Sequence, residues 1–160
     1  MSKFDVGPII AWLKDLNENN GQRAILRRCK TLPEIYLQPA YVNLCQTLGE
    51  QGTRKQLVLI AGILAHIKNP ENYDVAEHFC QKMALKKSSS DAPQISRLRF
   101  QRLLTVKSDD QRFRLLIRIV PQIEKFNLNS FIEDLFYWGD NKKKQWAFHY
   151  YSGESFLKGK

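Results

Sequence analysis

Apolar residues in this chain recur at helical spacing and nowhere alternate over the length of a strand, a pattern that leaves room for little except packed helices. Ile9, Trp12, Leu13 and Leu16 fall at i, i+3, i+4 and i+7, with Pro8 suited to a first turn and residues 17–21 to a stop. Gln22 to Lys30 reads as a second helix with Ile25 and Cys29 inward, ending before Pro33. A third carries Tyr41, Leu44, Cys45 and Leu48. A fourth runs from Thr53 with Leu57, Ile60, Ala61, Leu64 and Ile67 buried, and Asn69-Pro70 ends it. Asp74 to Leu85 is amphipathic through Val75, Phe79 and Met83.

Composition then changes at Lys86-Lys87-Ser88-Ser89-Ser90, which reads as a linker or mobile loop over residues 86–94. Beyond it, Ser96 can cap a helix bearing Leu98, Phe100, Leu103 and Leu104. Asp109 or Asp110 can cap the next, with Phe113, Leu116, Ile119, Val120 and Ile123 apolar and Pro121 a kink. Ser130 and Glu133 have capping-box spacing before Ile132, Leu135 and Phe136, and Gly139-Asp140 precedes a last helix with Trp146 and Tyr150. The expectation is an all-α protein of seven to eight helices in two small lobes. Residues 1–85 form the first, 86–94 the linker, and 95–160 a basic second lobe.

The longest apolar run, Leu57 to Ala65, is closed by Arg54, Lys55, His66 and Lys68, far short of the ~20 residues a bilayer span needs. The start, MSKFDVGPIIAWLKD, shows no small-residue cleavage site, so the chain reads as mature and cytoplasmic. Cys29, Cys45 and Cys80 are odd in number and embedded in apolar helical patterns, as reduced core thiols are. His78 and Cys80 are poorly spaced for one metal, and no cofactor or metal is expected.

No phosphate-cradling glycine loop, nucleophile elbow or HExxH pair is present. His66, His78 and His149 each lie among apolar neighbours and read as packing or surface residues. Asp109-Asp110 and Glu133-Asp134 can be drawn as a two-metal nuclease, but both pairs sit where a helix start favours negative charge. The reading is a protein that is not an enzyme.

The basic residues, in contrast, are arranged. The formal charge is +9, and residues 81–160 hold 16 basic against 8 acidic residues where residues 1–80 hold 9 against 8. Such segregation points to a polyanion-facing surface. Arg23, Arg27 and Lys30 lie at i, i+4 and i+7 with Arg28 adjacent and no acid between them. From Arg97 to Arg118 seven basic residues stand against two acids, and six are arginines: Arg97, Arg99, Arg102, Arg112, Arg114 and Arg118. The guanidinium fork suits phosphate oxygens, and the alternative is a solvated helix face. Lys142, Lys143 and Lys144 begin the last helix, where the macrodipole already presents positive charge; a bound phosphate or an exposed basic turn both answer that conflict. Trp138, Trp146, Phe148, Tyr150 and Tyr151 can stack on bases, but their spacing favours the core, with Trp146 packed.

In order along the chain, Trp12-Leu13, GQRAILRRCKTLPE, LVLIAGILAHI, ISRLRFQRLL, LLIRIVP and DLFYWGDNKKKQWAFHYY resemble the CasB family, the small subunit of the type I-E Cascade CRISPR surveillance complex. The resemblance implies a helical two-lobe protein without catalysis, two copies lying head to tail among the other Cascade subunits. It also implies contact with guide RNA and with single-stranded or R-loop DNA, holding the displaced non-target strand and supporting the guide–target hybrid. By the same resemblance Arg27 and Arg28 match the family's basic pair, Arg97 or Arg99 with Arg102 its central arginine segment, Arg118 the following helix, and Lys142 to Lys144 its basic turn, with lysine where arginine is common. Sequence would then be read by the guide, while these cations neutralise phosphates. A different class stays open: a basic adaptor docking on an acidic protein with no nucleic acid involved.

Overall fold

The computed structural model describes residues 4–53, 55–87 and 92–153, and within them the chain is all-α. Ten α-helices follow one another: α1 (Gly7–Asn17), α2 (Asn20–Arg28), α3 (Leu32–Tyr36), α4 (Pro39–Leu48), α5 (Gln56–Leu64), α6 (Phe79–Ala84), α7 (Arg97–Thr105), α8 (Asp109–Ile119), α9 (Leu128–Phe136) and α10 (Asp140–Gly153). Eight of them have seven or more residues, in line with the expected seven to eight. The additional α3 is a single short segment of five residues, and α6 is shorter than the helix expected there. For α3 a signal was present: Glu34 Oε1 accepts the Thr31 N–H at 2.9 Å and the Lys30 N–H at 2.8 Å, the capping arrangement that Thr31, Pro33 and Glu34 encode.

The apolar core is organised around α5, whose residues Leu57 to Leu64 are all buried. A helix apolar on every side has to be surrounded, and α3, α4, α8 and α9 pack against it. Gly62 is the point of closest approach. A Cβ there would run into Ile35 Cδ1 of α3 and stand 2.6 Å from Phe113 Cε1 of α8, so the missing side chain is what lets these helices meet. Contacts thus run across the 86–94 segment, and α6 and α10 add another set through Phe79 and Trp146, whose rings lie 5.7 Å apart. On either side of that segment the backbone pairs, Lys87 N–H to Ala92 C=O at 2.9 Å and Gln94 N–H to Leu85 C=O at 2.7 Å. Residues 88–91, the centre of the expected mobile loop, lie outside the described residues.

Several boundaries differ from the sequence reading. Gly49–Thr53 is a 3-10 turn and α5 begins only at Gln56. The expected helix over Asp74 to Leu85 shrinks to Phe79–Ala84, because Asn127 claims the preceding backbone: its Nδ2 donates to the Val75 carbonyl at 2.9 Å and its N–H to the Glu77 carbonyl at 2.8 Å. Pro121 ends α8 in a 3-10 turn instead of kinking it. Ile25 is 37% exposed, while Leu26 takes the inward position on α2. The caps of α8 and α9 are Ser108 and Asn127, whose side chains accept from Gln111 N–H and Ser130 N–H. This frees Asp109 and Asp110 for ion pairs. Ser96 caps α7 as expected, accepting from the Arg99 N–H.

Trp146 is packed as expected, and Tyr150 is buried beside it, stacked at 4.1 Å on Phe100 with its hydroxyl donating to the Ile95 carbonyl. The three thiols are unbridged, with Cys29 and Cys80 buried. Burial pushes both of these up from the ordinary thiol pKa. Among the described residues no helix is long and apolar enough to cross a membrane.

Candidate nucleic-acid interface

The first basic group is built on α2. Asn19 caps the helix by accepting the Gln22 N–H at 3.1 Å, and Leu26 and Cys29 anchor it to the core. Arg27 and Arg28 stand exposed in the last turn, where cations suit the helix dipole, with Lys30 exposed just beyond. Arg28 Nε donates to the Ala24 carbonyl at 3.3 Å. Arg23 is half-buried, and its Nε is enclosed without a hydrogen-bond partner. Desolvation, with Arg27 nearby, lowers its affinity for its proton.

The side chain that reports this crowding is His66, at the end of α5. Burial first, then the charges of Arg27, Lys30 and Arg23, hold its pKa down to about 4 from 6.5. Its Nε2 is enclosed and unpartnered. Three cations from α2 and the residues after it thus act electrostatically on one imidazole. Among the described residues none of Arg23, Arg27, Arg28 or Lys30 forms an ion pair with a carboxylate.

The second group lies on α7 and α8. Arg97 and Arg102 are exposed on α7, and Arg99 is half-buried. Gln122 joins the two helices: its Oε1 accepts from Arg99 Nη1 at 3.2 Å and its Nε2 donates to the Arg118 carbonyl at 2.9 Å. Arg118 itself is exposed. A neutral amide therefore positions Arg99 without cancelling its charge.

Arg112 and Arg114 are placed differently. Arg112 is buried and paired with Asp109 at 2.6 Å, and Arg114 pairs with Asp110 at 2.7 Å. The other oxygen of Asp110 accepts the Leu32 N–H at 2.9 Å. Arg114 is thereby carried to the start of α3, beside the segment that holds Lys30.

The third group opens α10. Lys142 Nζ lies 3.2 Å from Asp134 Oδ1, and Asp134 Oδ2 accepts the Trp146 indole N–H at 2.8 Å. The carboxylate of α9 thus offsets part of the charge that the helix start disfavours. Lys143 is half-buried and Lys144 exposed. Of Trp138, Trp146, Phe148, Tyr150 and Tyr151, Phe148 is the one largely open to solvent, at 70% exposure.

Sequence reasoning missed the hold of Gln122 on Arg99 and of Asp134 on Lys142 and Trp146, since these partners sit on other helices and no local spacing announces them. Among the described residues no group of three His, Cys, Asp or Glu side chains is placed to hold a metal ion.

What these features define is a small helical protein that carries groups of exposed and half-buried arginines and lysines on α2, on α7 and α8 and at the start of α10, several with no ion-paired carboxylate among the described residues. Residues 22–151 match the family described as CRISPR-associated protein Cse2, and the chain belongs to that family. Among solved structures, a chain of the crystal structure of E. coli Cascade bound to a PAM-containing dsDNA target has the same fold. The TM-score is 0.74 at 19% identity, over 95% of this chain and 99% of that one. Comparison with curated proteins returned no match.

Proposed function

We propose that this protein is a non-catalytic, nucleic-acid-binding subunit of a CRISPR Cascade complex. Its basic helix faces hold the displaced non-target strand and support the guide RNA–target hybrid. The observation that carries this reading is the group of exposed Arg27, Arg28 and Lys30 beside half-buried Arg23 on and just after α2, none of them ion-paired with a carboxylate among the described residues. Like charges held together cost stability until an anion arrives, and a phosphate chain supplies anions at regular intervals. Arg99 and Arg118 extend the surface with guanidinium forks, and Arg28, Arg97, Arg102, Arg114 and Lys142 to Lys144 add to the field around it.

Each phosphate neutralised lowers the free energy of the opened duplex, which would otherwise re-anneal. Base pairing with the guide supplies the sequence specificity, and the protein contributes affinity that tolerates any sequence. Membership of the family and the likeness to a chain of E. coli Cascade support the other Cascade subunits as partners. In the proposed assembly a second copy of the chain lies head to tail with the first. Contacts spread over two copies gain strength from being held together.

The test is fluorescence anisotropy with mixed-sequence single strands, on the isolated protein and on the assembly that a tagged copy brings down. Arg27→Glu combined with Arg118→Glu weakens strand binding while circular dichroism stays unchanged. Unchanged binding by a folded variant overturns the reading. If the wild type binds no strand in either form at low salt but captures an acidic protein, an adaptor role replaces it.

A further inference from the structure

A cleft of about 530 Å³ lies between the residues that follow α5, the body of α6 and the segment after α8. Lys68, Lys82 and Lys125 line it together with Asn69, Asn72 and Tyr73. None of these three lysines belongs to the basic runs that stand out in the sequence. They come from three separate stretches of chain, and only the fold gathers them. Glu124 also lines the cleft, yet among the described residues no lysine there pairs with it within ion-pair distance. The cations remain available to something else.

The walls of the cleft are tied in place by two carboxamides. Asn17 donates to the Ile67 carbonyl at 3.2 Å and accepts the Asn69 N–H at 3.1 Å, bracketing Lys68 and holding Asn69 in the left-handed conformation at φ 55°. Asn127, as described above, fastens Val75 and Glu77. Tyr73 is half-buried against Phe126, with ring centroids 5.1 Å apart, giving the cleft an apolar wall beside its ammonium groups. A second cleft shares Lys82 and Glu124 with the first and reaches Gln122, the residue that joins Arg99 to Arg118. The two clefts adjoin at Lys82 and Glu124 and together form a furrow that extends from Lys68 to Gln122, whose side chain holds Arg99.

We propose that this furrow is a second phosphate-binding track, along which one strand of nucleic acid continues from the Arg99–Arg118 surface past Lys82 to Lys125 and Lys68. This rests on the nucleic-acid reading above and extends it to three residues outside the arginine runs. Ammonium groups spaced along an open furrow suit successive phosphates of a flexible single strand, and the Tyr73 wall suits the sugars and bases between them. An acidic polypeptide is the competing occupant.

The experiment compares the full-length wild type, a Lys68→Gln/Lys82→Gln/Lys125→Gln variant and Arg118→Glu. Binding to a labelled mixed-sequence single-stranded DNA is measured across a salt series, with polyglutamate as a second probe. The lysine variant, folded by circular dichroism, is expected to bind the strand about tenfold more weakly and to show a log–log salt slope shallower by about 2, the value for three phosphates on a single strand. Acetylation footprinting of the wild type gives an independent readout: Lys68, Lys82 and Lys125 become protected by the strand, while Lys55 does not. Wild-type affinity in the lysine variant with loss in Arg118→Glu, or no protection in the footprint, overturns the furrow and leaves the broader reading standing. Loss of polyglutamate binding with strand binding intact also overturns it, in favour of the polypeptide. If neither variant loses strand affinity, the broader reading falls and takes this inference with it.

Discussion

The guanidinium carbon of Arg112 lies 5.3 Å from the ring centroid of Trp138, and one of its nitrogens is 2.6 Å from Asp109 Oδ1. An arginine from the middle of a strongly basic run is thus a core residue, clamped between a carboxylate and an aromatic face.

Arg112→Ala is accordingly expected to cost about 2–4 kcal/mol of folding stability, through lost packing and an orphaned Asp109. Urea denaturation measures it. Strand affinity of the folded fraction should stay at the wild-type value, and a large loss of affinity with unchanged stability would place this side chain on the interface instead.

Gly62→Ala tests the crowded centre. Its new methyl group would clash with Ile35 and Phe113, neither of which can leave the core, so about 1–3 kcal/mol of destabilisation is expected. The same change at Gly21, where only Asn19 Oδ1 comes within reach of a Cβ, at 3.7 Å, should shift stability far less. Thermal unfolding of the two variants side by side gives the comparison.

His66 makes stability depend on pH. Its pKa is about 4 in the folded protein and close to 6.5 in the unfolded chain. Between those values the unfolded state binds the extra proton, so its contribution is fully present above about pH 6.5 and is lost as pH falls towards 4. Because the ring keeps some solvent contact, about 1–2 kcal/mol is the expected size. His66→Gln should flatten that part of the stability profile, and a profile identical to wild type would show that the imidazole does not sense folding. A strand bound over Arg23, Arg27 and Lys30 should raise the His66 pKa, which NMR titration of the imidazole reads directly.

Asp134 holds both Lys142 and the Trp146 indole. Asp134→Asn keeps an acceptor for the indole and removes the ion pair, so a small stability change of about 1 kcal/mol or less is expected. Lys142 is released by the same change, and the salt dependence of strand binding should steepen. A slope equal to wild type would show that this lysine stays clear of the strand.

Which parts of this were legible in the sequence follows from how local each signal is. Period-3.6 patterning gave the long helices, because Ile9, Trp12, Leu13 and Leu16 need no distant partner to be recognised as one face. Ser96 was legible as a cap for the same reason. Asn127 caps α9 locally through Ser130, but it also shortens α6 through bonds to Val75 and Glu77 some fifty positions away, and nothing near that stretch reveals it. The site divides in the same way. Charge spacing marked out Arg23, Arg27 and Lys30, but could not separate Arg112 and Arg114, which find Asp109 and Asp110 one turn earlier, from Arg118, for which no carboxylate pairing is found among the described residues. Lys68, Lys82 and Lys125, each isolated in sequence, gave no signal at all before the fold assembled them.

The enclosed, unpartnered nitrogen of Arg23 carries a practical corollary. A molecule whose cations strain against one another gains stability from any solute that screens or ligates them. Its melting point is therefore a property of the buffer as much as of the chain, lowest in dilute chloride and rising with phosphate or heparin by mass action. Measured bare, the protein will look frailer than it is in the company for which its surface is shaped.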